Sequence, residues 1–294
     1  MTSMRPRRSV LYMPGSNARA LEKAKTLPAD AVIFDLEDAV APEAKDLARR
    51  QVCDTVSAGG YGDREVVVRI NALDTPWGEA DLAAVAAAAP VAILVPKVSS
   101  PESLVAIGSR LRRLGAAERT RVWAMMETPL AILNAEAIAS AARDVDTRLE
   151  CLVLGTNDLA KESRARILPG RAVLMPWLMT TLLAARAHDL DILDGVYNAL
   201  ADEAGFRAEC EQARDAGFDG KTLIHPNQIA PANEIFAPPA DEVEHARAVI
   251  AAFEKPENQG KGAISLDGRM VERMHADIAR RTVELAEAIA ARSR

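Results

Sequence analysis

Acidic, basic and amide residues follow short apolar runs along this sequence with a regularity that suggests a site. AVIF leads to Asp35, Glu37 and Asp38, VVV to Arg69 and Asn71, ILVP to Lys97, RVWAMM to Glu127, LECLVLGTN to Asp158, DIL to Asp194 and KTLI to His225. Glu127 and Asp158 stand out, because the runs before them are apolar enough to hold both carboxylates at the edge of a dry interior. Such a pair calls for a cation. Hard oxygen donors, in a chain without HxH, HExxH or clustered cysteines, favour Mg²⁺ or Mn²⁺ over zinc. Mg²⁺ uses one or two carboxylates and leaves its other positions to water and substrate. A strand-end acid serves as well to cap the following helix or to pair with a neighbouring cation, and spacing alone does not separate these roles.

Arg69 emerges from three valines, where a guanidinium can clamp a carboxylate with two hydrogen bonds or close an ion pair with Glu37 or Asp38. The LGTND turn offers Gly155 and the backbone N–H groups of Thr156 and Asn157 to a substrate carboxylate, although such turns are common. Pro14 to Asn17, the PGSN segment, opens a helix carrying Arg19 and Lys23; this is either a phosphate site or a plain capped turn. It matches neither GxxxxGKS/T nor GxGxxG, so P-loop and Rossmann nucleotide sites are unsupported. His225 is the one histidine at a strand end and suits a satisfied barrel position, while His188, His245 and His275 read as helix-surface residues. No GxSxG or Ser-His-Asp pattern is visible.

For these residues to meet, the runs must be strands that end on one rim. Eight of them, SVLY, AVIFDLE, EVVVRI, AILVPK, RVWAMME, LECLVLG, DILDGV and KTLIHP, alternate with longer stretches of helical character. Unbroken apolar strands imply burial on both faces, as in parallel strands covered by helices. Eight such units predict an α/β fold, a (β/α)8 TIM barrel ahead of an open doubly wound sheet. The polar residues then lie at the C-terminal strand ends, where barrel chemistry collects. Pro42 and Pro101 mark first helical turns, and Pro129 opens a helix from Leu130 to Ala142. The barrel is expected over residues 1–237, with 238–294 a C-terminal helical extension that packs outside it or on a neighbour.

The 294 residues are 49% hydrophobic and 27% charged, which suits one barrel of roughly 250 residues or two domains. A net charge of -6 argues against general nucleic-acid binding, which needs clustered cations. The longest uncharged stretch, Leu82 to Pro96, is broken by Pro90 and falls short of the ~20 residues of a membrane helix. The basic start is interrupted by Pro14 to Asn17 and does not read as a secretory leader. Cys53, Cys151 and Cys210 are far apart and odd in number, so they read as reduced thiols of a cytoplasmic protein.

Together, RRSVLYMPGSN, ADAVIFDLEDAVAPEAKDLAR, VVVRINALDTPW, ILVPKV, METP, LGTNDLA, GFDGKTLIHPNQI and KGAISLDGRMVE resemble the HpcH/HpaI aldolase superfamily. More narrowly they look like its citrate lyase β-subunit-like branch, which includes malyl-CoA and citramalyl-CoA lyases. The resemblance runs from about Arg8 to the C-terminal helix. It implies a TIM barrel, assembled as a homotrimer or hexamer, that uses Mg²⁺ to cleave or form a C–C bond between an acyl-CoA and a 2-oxo acid. It further implies that Glu127 and Asp158 hold the metal and Arg69 binds the substrate's oxygens. Tyr12, Asn17, Lys23 and His225 are then expected to contact coenzyme A, with Glu37 and Asp38 facing the metal's water shell.

Two positions depart from the family's pattern. GRMVE supplies Glu272 where the family has an Asp lent to the neighbouring subunit's site, and Asn157 stands where many relatives carry an acid. The expected reaction is reversible retro-aldol cleavage of malyl-, citramalyl- or citryl-CoA, with Arg69 stabilising the oxygen that becomes a carbonyl. A carboxylate such as Glu272 exchanges the proton on the thioester carbon. The alternatives are an aldolase on free 4-hydroxy-2-oxo acids, a malyl-CoA thioesterase, and a silent subunit of a larger complex.

Overall fold

A computed structural model describes residues 4–266 and 268–292. In chain order it contains β1 (Ser9–Pro14), α1 (Ala18–Ala24), β2 (Ala31–Asp35), α2 (Lys45–Ala58), β3 (Glu65–Arg69), α3 (Gly78–Ala88), β4 (Ala92–Val95) and α4 (Pro101–Arg113). These are followed by β5 (Arg121–Met126), α5 (Pro129–Leu133), α6 (Ala135–Ser140), β6 (Leu149–Leu154), α7 (Thr156–Ser163), α8 (Met175–Ala187), β7 (Asp191–Asp194), α9 (Glu203–Ala216) and β8 (Gly220–Leu223). The chain ends with α10 (Ile229–Ile235), α11 (Ala240–Glu254), β9 (Ala263–Leu266), β10 (Arg269–Glu272) and α12 (Arg273–Arg292). Strands β1 to β8 pair in sequence order, each parallel to the next, and β8 closes on β1. The chain is a (β/α)8 barrel.

Alternation along each strand sends one set of side chains inward. Val10, Ala31, Ile33, Val67, Ala92, Leu94, Trp123, Met125, Cys151, Val153 and Leu193 form that interior, with Tyr12 packed against it. The other set, such as Val32, Phe34, Val68 and Ile93, is equally buried and lies under the helices, which is why most of the runs carry apolar residues on both faces. At the N-terminal end of the barrel Arg7 donates to both carboxylate oxygens of Glu65, at 2.7 and 3.0 Å, and to Asp191 at 2.7 Å. Its guanidinium lies 4.8 Å from the Trp123 ring centroid.

The chain divides into two compact units, Arg7–Asn233, which is the barrel, and Glu234 onward together with the first few residues. The second unit is not purely helical. β9 and β10 form an antiparallel hairpin, with Ile264 opposite Val271, and these two pack with Ala246, Val249, Phe253, Ala276 and Ala279. The helix expected from Leu130 to Ala142 is also interrupted. Its break is Asn134, whose side-chain amide donates to the Ser99 carbonyl at 2.9 Å, a bond to a neighbouring loop that competes with helical continuation. Pro101 and Pro129 open α4 and α5, and Pro42 opens a short 3₁₀ turn ahead of α2. No helix among the described residues is long and apolar enough to cross a membrane.

Candidate active site

Two residues beyond the last inward-facing apolar positions, the same alternation puts Asp35, Arg69, Glu127 and Gly155 at the C-terminal mouth of the barrel. Asp35 and Arg69 are register partners on β2 and β3. Arg69 Nε and Nη2 donate to Asp35 Oδ1 and Oδ2 at 2.7 and 2.6 Å. Asp35 also accepts the backbone N–H groups of Glu37 and Ala39, both at 2.9 Å. It therefore anchors the guanidinium and the turn that carries Glu37 and Asp38. Of the alternatives left open by sequence, Arg69 is ion-paired, yet its first partner is Asp35 rather than Glu37 or Asp38. Strand alternation was the signal that could have found it. Arg69 Nη1 then reaches Glu37 Oε2 at 2.9 Å and Asp38 Oδ2 at 3.3 Å. The guanidinium stands 5.0 Å from the Tyr12 ring centroid.

Across the mouth, Glu127 is buried, 1% exposed, and its Oε1 accepts the Lys97 N–H at 2.7 Å. A side chain at Gly155 would meet Glu127 Cβ at 2.4 Å and Oε2 at 2.5 Å, so this glycine leaves the space that Glu127 occupies. Asp158 lies in the first turn of α7, and its Oδ1 is 3.8 Å from Lys97 Nζ. Burial pushes the Glu127 carboxyl up to about 7, with Asp158 adding to the effect, although the Lys97 N–H and Arg69 favour the anion. Burial also drives the Glu37 carboxyl up to about 8 against the pull of Arg69, and Asp38, Glu127 and Asp35 add to the rise.

The carboxylates of Asp35, Glu37, Asp38, Glu127 and Asp158 outnumber the cations Arg69, Lys97 and the nearby Lys45, and the buried Glu37 Oε2 has its ion pair with Arg69 in place of a hydrogen bond. Among the described residues no three His, Cys, Asp or Glu side chains converge as a complete cage. The donor set thus fits a hard divalent ion that takes two carboxylates, those of Glu127 and Asp158, and fills its remaining positions from water and substrate.

Other expected positions lie elsewhere or have local partners. Asp194 does not join the mouth. With Leu193 facing inward, Asp194 points toward the helices, where Arg171 Nη1 and Lys221 Nζ donate to it at 2.7 and 2.6 Å. Asn71 is buried, accepting from Lys45 Nζ and donating to the Leu36 carbonyl and to Asp81. Asn157 is exposed and exchanges reciprocal amide hydrogen bonds with Asn198, at 3.2 and 2.8 Å. Thr156 is buried at the start of α7. Asn17 caps α1 through the Ala20 N–H, with Lys23 exposed in the last turn. His225 accepts the Asn227 N–H and caps the following turn. His188 is half-buried at the end of α8, with its side chain folded in and Nε2 3.1 Å from Glu136. Glu272 belongs to the second compact unit, exposed on β10, its N–H donated to His275 Nδ1.

Residues 8–226 match the model of the HpcH/HpaI aldolase/citrate lyase family. The chain belongs to this family. Among its relatives is the (3S)-malyl-CoA thioesterase of Cereibacter sphaeroides (strain KD131 / KCTC 12085), 53% identical over 97% of this chain and 96% of that protein. The citrate lyase subunit beta of Escherichia coli (strain K12) is 38% identical over 96% of this chain and 94% of its own length. Among solved structures, the protein CitE from Mycobacterium tuberculosis in complex with magnesium, acetoacetate and coenzyme A is 29% identical. It superimposes with a TM-score of 0.76 over 98% of this chain and 100% of that one. The family supports an enzyme acting on CoA esters, in keeping with a barrel whose chemistry collects at one mouth.

Proposed function

We propose that the protein hydrolyses a malyl-CoA-type 3-hydroxyacyl thioester to the hydroxy diacid and coenzyme A, with Mg²⁺ held by Glu127 and Asp158. The observation that carries the metal and substrate reading is the surplus of carboxylates, Asp35, Glu37, Asp38, Glu127 and Asp158, over the cations Arg69 and Lys97 at one mouth. The 53% identity to proteins named (3S)-malyl-CoA thioesterase supports hydrolysis. When bound, the ion supplies Lewis-acid polarisation of the oxygens it holds. Arg69, fixed by Asp35, donates to the oxygen on which negative charge develops. Glu37, with its carboxyl near 8, takes a proton from the attacking water and returns it to the departing thiolate as the C–S bond breaks. The first-turn N–H groups of α7, at Thr156 and Asn157 beside Gly155, receive the substrate's free carboxylate. Asn17, Lys23, His225 and Tyr12 are the proposed coenzyme A contacts.

Cleavage of the C–C bond to an acyl-CoA and a 2-oxo acid is the second reading, favoured by the 38% identity to a citrate lyase subunit beta. Product analysis separates the two. Malyl-CoA with Mg²⁺ should give malate and coenzyme A, and EDTA should stop it; glyoxylate with acetyl-CoA as the products identifies the lyase. In either reaction we propose that the second compact unit lends Glu272 to a neighbouring copy in a homo-oligomer. The exposed Met270, Met274 and Ile278 beside a cleft of about 530 Å³ support such docking.

A further inference from the structure

Lys97, just beyond β4, touches both carboxylates assigned to the cation. Its backbone adopts φ +52°, a left-handed conformation uncommon for a non-glycine residue, and this turn aims its N–H at Glu127 Oε1, 2.7 Å away. The ammonium of the same residue stands 3.8 Å from Asp158 Oδ1 on a side chain 40% exposed. Burial disfavours its charge, yet Glu127, Glu37, Asp158 and Asp38 outweigh that and strengthen it. Main chain and side chain thus serve the same two acids in different ways.

We propose that Lys97 is the internal counter-ion of this site. Its ammonium offsets part of the charge of Glu127 and Asp158 in the metal-free protein and is displaced by an entering divalent cation, while its main-chain N–H keeps Glu127 turned toward that cation. The inference rests on Glu127 and Asp158 as the ligands. Two like-charged ions cannot share the field of one carboxylate pair without mutual repulsion, so the ammonium and Mg²⁺ compete. The exposed stem lets the ammonium leave for solvent at small cost.

The test is calorimetric titration of Mg²⁺ into metal-free protein without substrate, together with thermal unfolding in EDTA. Lys97→Met removes the ammonium and keeps the N–H. It should bind Mg²⁺ about three- to tenfold more tightly, in line with a partly exposed ion pair, and should melt lower when metal-free. Lys97→Gly also keeps the N–H and relieves the left-handed backbone, so it carries the same expectation for Mg²⁺ binding if the Met variant does not fold. Equal or weaker Mg²⁺ binding in the folded variant overturns the proposal. Glu127→Gln separates this failure from that of the site: Mg²⁺ binding untouched by Glu127→Gln overturns the ligand assignment itself. Binding lost there, with no gain in the Lys97 variant, overturns the role of Lys97 alone.

Discussion

Asp194 and Glu127 are carboxylates at strand ends of the same barrel, 0% and 1% exposed, and they are held in opposite ways. Asp194 sits among Arg171, Lys221 and Glu209, two cations and two acids, with Lys221 Nζ also on Glu209 Oε1 at 2.7 Å. Burial works against its charge, but Lys221 and Arg171 prevail and hold its carboxyl below the usual range. Glu127 faces an excess of acid, and its carboxyl is pushed up to about 7. The first cluster is electrostatically closed and welds the outside of β7 and β8 to the loop before α8 and to α9. The second holds more carboxylates than its cations, Arg69 and Lys97, can offset. A barrel buries ionised groups in both places, and only the unbalanced cluster is prepared for something from outside.

Acid-to-amide substitutions should break the two clusters differently. Glu127→Gln removes the charge of a proposed metal ligand and is expected to lower kcat by about a thousandfold or more, a loss of ~4 kcal/mol of transition-state stabilisation. Its metal-free melting temperature should stay level or rise, because a repelled charge is gone. Asp194→Asn leaves Lys221 and Arg171 to share Glu209 in a dry site and should destabilise the fold by about 3 kcal/mol, with kcat per folded molecule nearly unchanged. Denaturant unfolding and steady-state kinetics on both variants provide the check. A destabilised Glu127→Gln, or an inactive but stable Asp194→Asn, would erase the distinction.

Although β8 buries Lys221 and Thr222, the barrel was legible because most of the eight runs are apolar on both faces, as parallel strands under helices need. The same property hid the phase of each strand. In DILD, Ile192 and Leu193 are both apolar and both 0% exposed, so the sequence did not reveal that Asp194 turns outward, and it was expected at the mouth. Asp35 was recognised at the rim but not as the anchor of Arg69, which required the register between β2 and β3. That Glu127, Arg69 and Glu37 lie at one mouth was readable from residue type and strand position. Lys97 stood in the same series, but nothing in VPKV announces its left-handed turn. The helix break at Asn134 depended on a partner, the Ser99 carbonyl, that is distant in sequence.

The clusters also differ in the sign of their response to pH. Glu37 and Glu127 have folded values near 8 and 7, above their ordinary 4.5, so between about pH 4.5 and 8 the folded state holds more protons than the unfolded one. Stability must then fall as pH rises through that window, by on the order of 3 kcal/mol for Glu127 alone. Asp194, depressed when folded, contributes stability above its ordinary 3.8 that is lost only as pH falls through its lower folded value. Thermal unfolding from pH 5 to 8.5 in EDTA should therefore show a declining melting temperature. Glu37→Gln should remove much of the slope above pH 7, and saturating Mg²⁺ should flatten the remainder. A metal-free profile that is level across this window would mean that the mouth is as well balanced as the Asp194 cluster.

The smallest effect is expected at Asn157, where the excess of acid can be increased by one charge. Its reciprocal amide pair with Asn198 ties the start of α7 to the loop after β7, and Asp158 is the next residue. Asn157→Asp keeps an acceptor for the Asn198 amide, loses the donor to Asn198 Oδ1, and places a carboxylate beside the proposed ligand Asp158. In an exposed position each of these changes is worth less than about 1 kcal/mol. The added charge should tighten Mg²⁺ binding about two- to fivefold at low salt, with the gain shrinking as ionic strength rises. Weaker binding at every salt concentration would show that the amide pair matters more for holding Asp158 in place than the local charge does for attracting the ion. The mouth would then be limited by geometry rather than by its surplus of acid.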